Sequence, residues 1–340
     1  MSQRIEYFDV LRGLAIIAVV AIHSSVTGLQ FSEQSFNFNF TVFWRNLLNF
    51  AVPLFIAISG YFLANKQLSS AAEYTAFLKR QIPKVLIPAA IWSCIYCAFS
   101  LVVLNRPLNQ ELFKLVTFQA SIPFYFIALI IQLYLLLPLL LKFSNLTGLL
   151  FSIILSLLSA LLIFYLRYYT QIDLPIIIYA GNFASWLMFF MLGLCYGKGK
   201  INISNKVLVS LTIAFYLLSC VESIILIEEF HQAGDASSAI KVSSFLYSFF
   251  LIILMFGNAN LTKSRLLSDL GQVSFGVYLV HMLVITILVK VLTLLVPSLQ
   301  GYAVLFQITL LTLTLLTSFT SIKFVNRVIK NRLTKLIGFS

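Results

Sequence analysis

Arginine can hold an anion and histidine can move a proton. The stretch DVLRGLAIIAVVAIHSSV, residues 9–26, carries one of each, Arg12 and His23, in an otherwise apolar run. On a helix turning 100° per residue, a spacing of eleven leaves them about 20° apart around the axis and ~16 Å apart along it. They share one stripe at different depths. Such a track suits an elongated anionic ligand at one end and proton transfer at the other. Simpler readings stay open for each residue. Arg12 lies near the end of the apolar run, within reach of snorkelling to the interface. His23 is too short to snorkel, yet a neutral, hydrogen-bonded histidine is affordable within a span. Asp9, three residues before Arg12, either holds the guanidinium or simply marks an amino-terminal turn, where a carboxylate is favourable.

Other polar residues interrupt the apolar runs. Glu222, in CVESI, is either a buried proton acceptor or a group wetted at the outer interface. PLFIAISGYF places Pro53, Ser59 and Gly60 together, which predicts a bend and a close helix approach. SIPFYFIALIIQLYLLLP holds Tyr125, Gln132 and Tyr134, and SFGVYLVH brings His281 with Tyr278 one turn before it. Both tyrosines at 125 and 278 have an ordinary structural explanation as interfacial aromatics. Cys94, Cys97, Cys195 and Cys220 all fall in apolar runs and read as small hydrophobes. Cys94 and Cys97 form a CxxC without a second pair or a histidine at suitable spacing, so no metal site is expected.

These residues need a membrane scaffold. The chain of 340 residues is 60% hydrophobic and 10% charged, against about 25% charged in soluble domains. Apolar runs of about 20 residues exclude an outer-membrane barrel and predict an all-α polytopic membrane protein. Ten spans are expected, at roughly 9–29, 43–63, 84–104, 122–141, 147–167, 175–197, 206–227, 242–257, 271–290 and 301–322. The first lacks a clear small-residue cleavage pattern and reads as a retained span rather than a signal peptide. An even number puts both termini on one side. With the termini inside, sixteen of the 23 basic residues are cytoplasmic, among them Arg4, Lys79, Arg80, Lys198, Lys200, Lys263 and the set from Lys323 to Lys335 that includes Lys330. Six lie outside, Arg45 and Lys241 among them, and Arg12 is within the first span. The formal charge of +12 is therefore a positive-inside signature rather than a sign of nucleic acid. Residues 1–322 read as a single membrane domain. Residues 323–340 read as a basic amphipathic cytoplasmic tail lying in the anionic interface.

Taken in order, YFDVLRGLAIIAVVAIH, PLFIAISGYF, FYFIALIIQLYLLLP and SFGVYLVH resemble the membrane-integral acyltransferase 3 family across essentially the whole chain. The form IIQLY, with Gln132 where many members have glutamate, resembles the branch acylating exported polysaccharides, so Gln132 is not expected to do acid–base chemistry. The resemblance implies His23 as the catalytic residue and Arg12 in handling an acyl-CoA donor. It leaves Asp9, Gln132, Tyr134, Glu222 and His281 as possible supporting residues. It further implies a bacterial plasma membrane, acyl-CoA as co-substrate with no permanently bound cofactor, and a surface or exported glycan as acceptor. Glycan synthesis or export proteins are possible partners beside membrane lipid. The resemblance implies acetyl as the commonest acyl group, with succinyl also fitting the polysaccharide branch. Some relatives append an extracellular esterase-like domain, for which this sequence has no room. A neutral histidine can remove the proton from an attacking sugar hydroxyl, or a transient acyl-histidine can form. Two other readings of the polar track stay open. One is an exporter of polysaccharide or an anionic substrate; the other is a non-catalytic membrane component of a glycan synthase.

Overall fold

The computed structural model describes residues 2–199, 201, 203–258, 264–329 and 331–339, with side chains described from Glu6 onward except that of Asn331. Lys200, Lys263 and Lys330, used above for orientation, lie outside the described residues, as does the side chain of Arg4.

All regular structure among the described residues is helical. The chain opens with α1 (Ser2–Ser24), α2 (Phe36–Leu48), α3 (Ala51–Leu63), α4 (Ala71–Val103), α5 (Leu108–Val116) and α6 (Tyr125–Lys142). There follow α7 (Leu146–Phe164), α8 (Ile176–Tyr179), α9 (Phe183–Lys198), α10 (Asn205–Glu228) and α11 (Ala233–Ala236). The last are α12 (Val242–Gly257), α13 (Arg265–Gln272), α14 (Ser274–Leu295), α15 (Ala303–Val328) and α16 (Asn331–Leu336). Among the described residues nine stretches, from Glu6–Gln30 to Ala303–Val328, are long and apolar enough to cross a membrane. The chain is an all-α polytopic membrane protein. The eighth expected span falls on α12, whose 16 residues rise about 24 Å, short of a ~30 Å hydrocarbon core.

Several boundaries differ from the expected spans, the largest shift being at the start of α4. α4 begins at Ala71 rather than near 84. The Ser70 hydroxyl accepts from Glu73 N at 3.2 Å and the Glu73 carboxylate accepts from Ser70 N at 3.1 Å, a capping box that starts the helix thirteen residues early. Pro83 and Pro88 lie inside α4 without ending it. The second span begins at Phe36 and breaks between Leu48 and Ala51. Pro53 then sits in the first turn of α3, where its missing N–H costs nothing, so the predicted bend falls just ahead of it. α15 continues unbroken to Val328, so the expected tail starts as an extension of the last span.

The chain packs as two compact units, one of Met1–Ile58 with Lys200–Ile322 and the other of Ser59–Gly199 with Lys323–Ser340. In the first, α1 and α13 meet backbone to backbone. A Cβ on Gly13 would sit 2.1 Å from the Leu267 carbonyl oxygen, and one on Gly271 would sit 1.8 Å from that of Asp9. Only glycine fits such a contact. The start of α1 is tied to the end of α12, where the Tyr7 hydroxyl donates to the Met255 carbonyl and Phe8 meets Phe256 edge-on at 5.3 Å. In the second unit, Gly60 fulfils the predicted close approach, since a Cβ there would sit 2.3 Å from the Phe190 carbonyl oxygen of α9. The end of the chain rests on α4, with Trp92 Nε1 donating to Ile337 O at 3.0 Å and stacking on Phe339 at 5.8 Å.

Candidate active site

The residues with the most chemistry meet in the first unit, where α14 lies beside α1. The His23 and His281 rings stand 5.3 Å apart, tilted 49°. The packing of α1 on α14 brings the two rings together. His281 is fully buried, at 0% exposure. Its Nδ1 lies 2.7 Å from the Tyr278 carbonyl oxygen and 3.2 Å from that of Val277. Both partners are acceptors, so Nδ1 carries the proton and Nε2 the lone pair. Nε2 is buried and has no hydrogen-bond partner among the described residues. His23 is partly exposed and makes no hydrogen bond among the described residues, leaving its nitrogens available to a ligand.

Arg45, counted by sequence among the outer basic residues at the edge of the second span, is a buried residue of α2 at 9% exposure. Its Nη1 donates to the Ile22 carbonyl at 2.5 Å and to Ser25 Oγ at 3.3 Å, and its Nε donates to Ser237 Oγ at 2.8 Å. The guanidinium thus closes the carboxy-terminal end of α1, one residue from His23, where a cation complements the helix dipole. Its neighbours in the sequence gave no sign of this, because a single arginine in FWRNLL at a span edge reads as an interfacial charge. Next to it, Gly28 lets Thr41 and Gln307 come in close, since a Cβ there would sit 2.1 Å from both Thr41 Oγ1 and Gln307 Nε2. Ser24 Oγ, Thr27 Oγ1 and Gln307 Oε1 are buried without partners among the described residues. Together with His281 Nε2 they give this end of α1 unfilled hydrogen-bonding capacity, which a polar ligand or water can take up.

Arg12 stands on the same uninterrupted α1 as His23. Its Nη1 bonds Asp9 Oδ1 at 2.8 Å, the i,i+3 pairing expected, with about a third of the arginine side chain exposed. Asp9 does hold the guanidinium. Gln132 and Tyr134 belong to the second unit. Gln132 is spent on structure, donating to Gly181 O at 2.7 Å and Ala128 O at 3.2 Å and accepting from Phe183 N at 3.1 Å. It ties α6 to the turn before α9. Tyr134 meets Phe77 edge-on at 5.7 Å. Glu222 accepts from the Ser243 backbone N at 3.1 Å and from the Ser243 hydroxyl, so it caps the first turn of α12.

Lys241, assigned to an outer loop, is 3% exposed. Its Nζ is ringed by Asn46 Oδ1 at 2.9 Å, Ser219 O at 2.9 Å, Ser223 Oγ at 2.6 Å and Ala236 O at 2.8 Å. Burial pushes its ammonium down to about 8, while the Glu222 carboxylate pulls the other way. No group of three or more His, Cys, Asp or Glu among the described residues could hold a metal ion.

A multi-spanning helical protein with paired histidines and an ion pair on one membrane helix is the class these features define. Residues 5–322 match the acyltransferase 3 family, described as an acyltransferase domain, and the chain belongs to that family. It is a membrane acyltransferase. No curated protein and no solved structure matches it.

Proposed function

We propose that the protein transfers an acyl group from acyl-CoA to a hydroxyl of an exported or cell-surface glycan, at a bacterial plasma membrane with both termini cytoplasmic. The observation that carries this reading is the His23–His281 pair, in which His23 keeps accessible, unbonded nitrogens at one end of the helix that also presents Arg12. Arg12, near the cytoplasmic edge, meets the anionic coenzyme. Asp9 fixes its direction. His23, further along α1, meets the acceptor. It takes the hydroxyl proton as the oxygen bonds to the thioester carbonyl carbon. The C–S bond then breaks and the proton passes to the leaving thiolate, giving CoA–SH. The donor is already activated, so the base supplies what the sugar hydroxyl lacks. Acetyl-CoA is the first donor to try and succinyl-CoA the second. Glycan synthesis or export proteins would deliver the acceptor.

The test uses sealed proteoliposomes with acyl-labelled acetyl-CoA and a crude surface-glycan acceptor, following labelled glycan and free CoA together. The expected result is label on glycan with stoichiometric CoA for the wild type and at least about a hundredfold less for His23→Ala. Glycan crossing the membrane with neither donor consumed would replace this reading with export.

A further inference from the structure

We propose that Arg45 is a second catalytic residue, whose Nη2 holds the oxyanion formed at the acyl carbonyl; this rests on the reading of His23 above. Other cations of the chain have a carboxylate to answer them. Arg12 pairs with Asp9, Lys114 pairs with Glu111, and Lys241 lies in the field of Glu222. No carboxylate answers Arg45 among the described residues. A guanidinium at 9% exposure without a counter-charge is costly inside a membrane. The carboxy-terminal end of α1 offsets only part of that cost, because a helix end carries about half a negative charge.

The guanidinium is also held in one direction. Ser237 Oγ, whose own proton goes to the Ala233 or Gly234 carbonyl, accepts from Nε, and Nη1 is engaged by Ile22 O and Ser25 Oγ. Nη2 has no hydrogen-bond partner among the described residues and, unlike Ser24 Oγ and His281 Nε2, is not sealed off. Its N–H groups are left to a ligand. The charge of Arg45 reaches the His23 ring, where it opposes the imidazolium that a general base must become. That opposition is removed when a negative charge forms beside both groups in the same step. As the acceptor oxygen bonds to the carbonyl carbon and His23 takes its proton, the π pair of the C=O bond moves onto the carbonyl oxygen, to which Nη2 donates. The pair then returns, the C–S bond breaks, and the proton passes from His23 to the thiolate. A fixed donor aimed where charge develops needs no reorganisation, and removing one costs about 10²- to 10³-fold in kcat.

The test pairs two stable CoA ligands, one with an anionic methylphosphonate in place of the acetyl group and the other acetonyl-CoA, a neutral ketone. Calorimetry on the full chain in detergent follows their binding without turnover. The wild type should hold the methylphosphonate about a hundredfold tighter than the ketone. Arg45→Gln keeps an N–H donor for the end of α1 but no charge, and should lose that preference while binding the ketone as before. Its kcat should fall about 10²- to 10³-fold with acetyl-CoA and succinyl-CoA alike, with KM unchanged. Arg45→Lys, the milder change, should keep part of the preference, and it carries the comparison if Arg45→Gln does not fold. A wild type that binds both ligands equally would overturn the proposal. So would an Arg45 variant that unfolds earlier but turns over normally per folded molecule, or a loss confined to succinyl-CoA, whose carboxylate Arg45 would then hold. A preference for the anion that depends on Arg45, in a protein whose His23→Ala variant keeps full transfer, would overturn the reading of His23 and leave the anion site standing.

Discussion

Two buried polar clusters in the same unit carry opposite signatures. Around Lys241 four oxygens lie within 2.9 Å of one ammonium, and Asn46 and Ser223 are further bonded to each other at 2.7 Å. At the carboxy-terminal end of α1 several side-chain polar atoms are left open beside the Arg45 contacts. His281 Nε2, Ser24 Oγ, Thr27 Oγ1 and Gln307 Oε1 have no partner among the described residues. A saturated network fixes a fold, because every group in it would be costly to strand. An unsaturated one has room for a polar ligand or water. The contrast separates the residues by what surrounds them in the fold, which their sequence neighbours do not show.

The comparison breaks first at His23. His23→Ala should cut transfer by about 10²- to 10⁴-fold, the usual contribution of a general base, with the thermal unfolding midpoint unchanged. Lys241→Met should do the reverse. It removes the four hydrogen bonds that the ammonium donates to the oxygens of Asn46, Ser219, Ser223 and Ala236, so stability should fall by about 3 kcal/mol while turnover per folded molecule is kept. Denaturant titration of both variants in one detergent reads the difference.

Gly271→Ala tests whether the α1–α13 contact positions the arginine end of the track. A Cβ 1.8 Å from the Asp9 carbonyl must push the helices apart, costing about 2 kcal/mol as an overpacked contact. KM for acyl-CoA should rise more than kcat falls. The smallest effect is expected for Glu222→Ala, which removes the acceptor from the first turn of α12 and should cost about 1 kcal/mol with no change in transfer. Loss of transfer in that variant would move Glu222 from the structural cluster into the active one.

Much of this was legible in the sequence. The membrane class follows from apolar runs, which depend on solvent alone. The shared stripe of Arg12 and His23 follows from helical periodicity, and Gly60 announced a close approach that Phe190 fulfils. What the sequence left hidden was long-range pairing. The meeting of His23 with His281 spans most of the chain and depends on how α14 packs on α1. Arg45 looked like an interfacial charge and Lys241 like a loop charge because polarity was read as solvent exposure, whereas Ile22, Ser237, Ser219 and Ala236 supply buried acceptors from distant segments. The early start of α4 was written in Ser70 and Glu73, but its charged residues masked the helix.

The most direct test places His23→Ala and Lys241→Met side by side in sealed proteoliposomes, measuring CoA release and unfolding midpoint on the same samples. The account predicts that His23→Ala unfolds like the wild type and releases CoA at least about a hundredfold more slowly, while Lys241→Met unfolds earlier and releases CoA at the wild-type rate per folded molecule. Wild-type turnover in His23→Ala, or a stable Lys241→Met that has lost transfer, would contradict it.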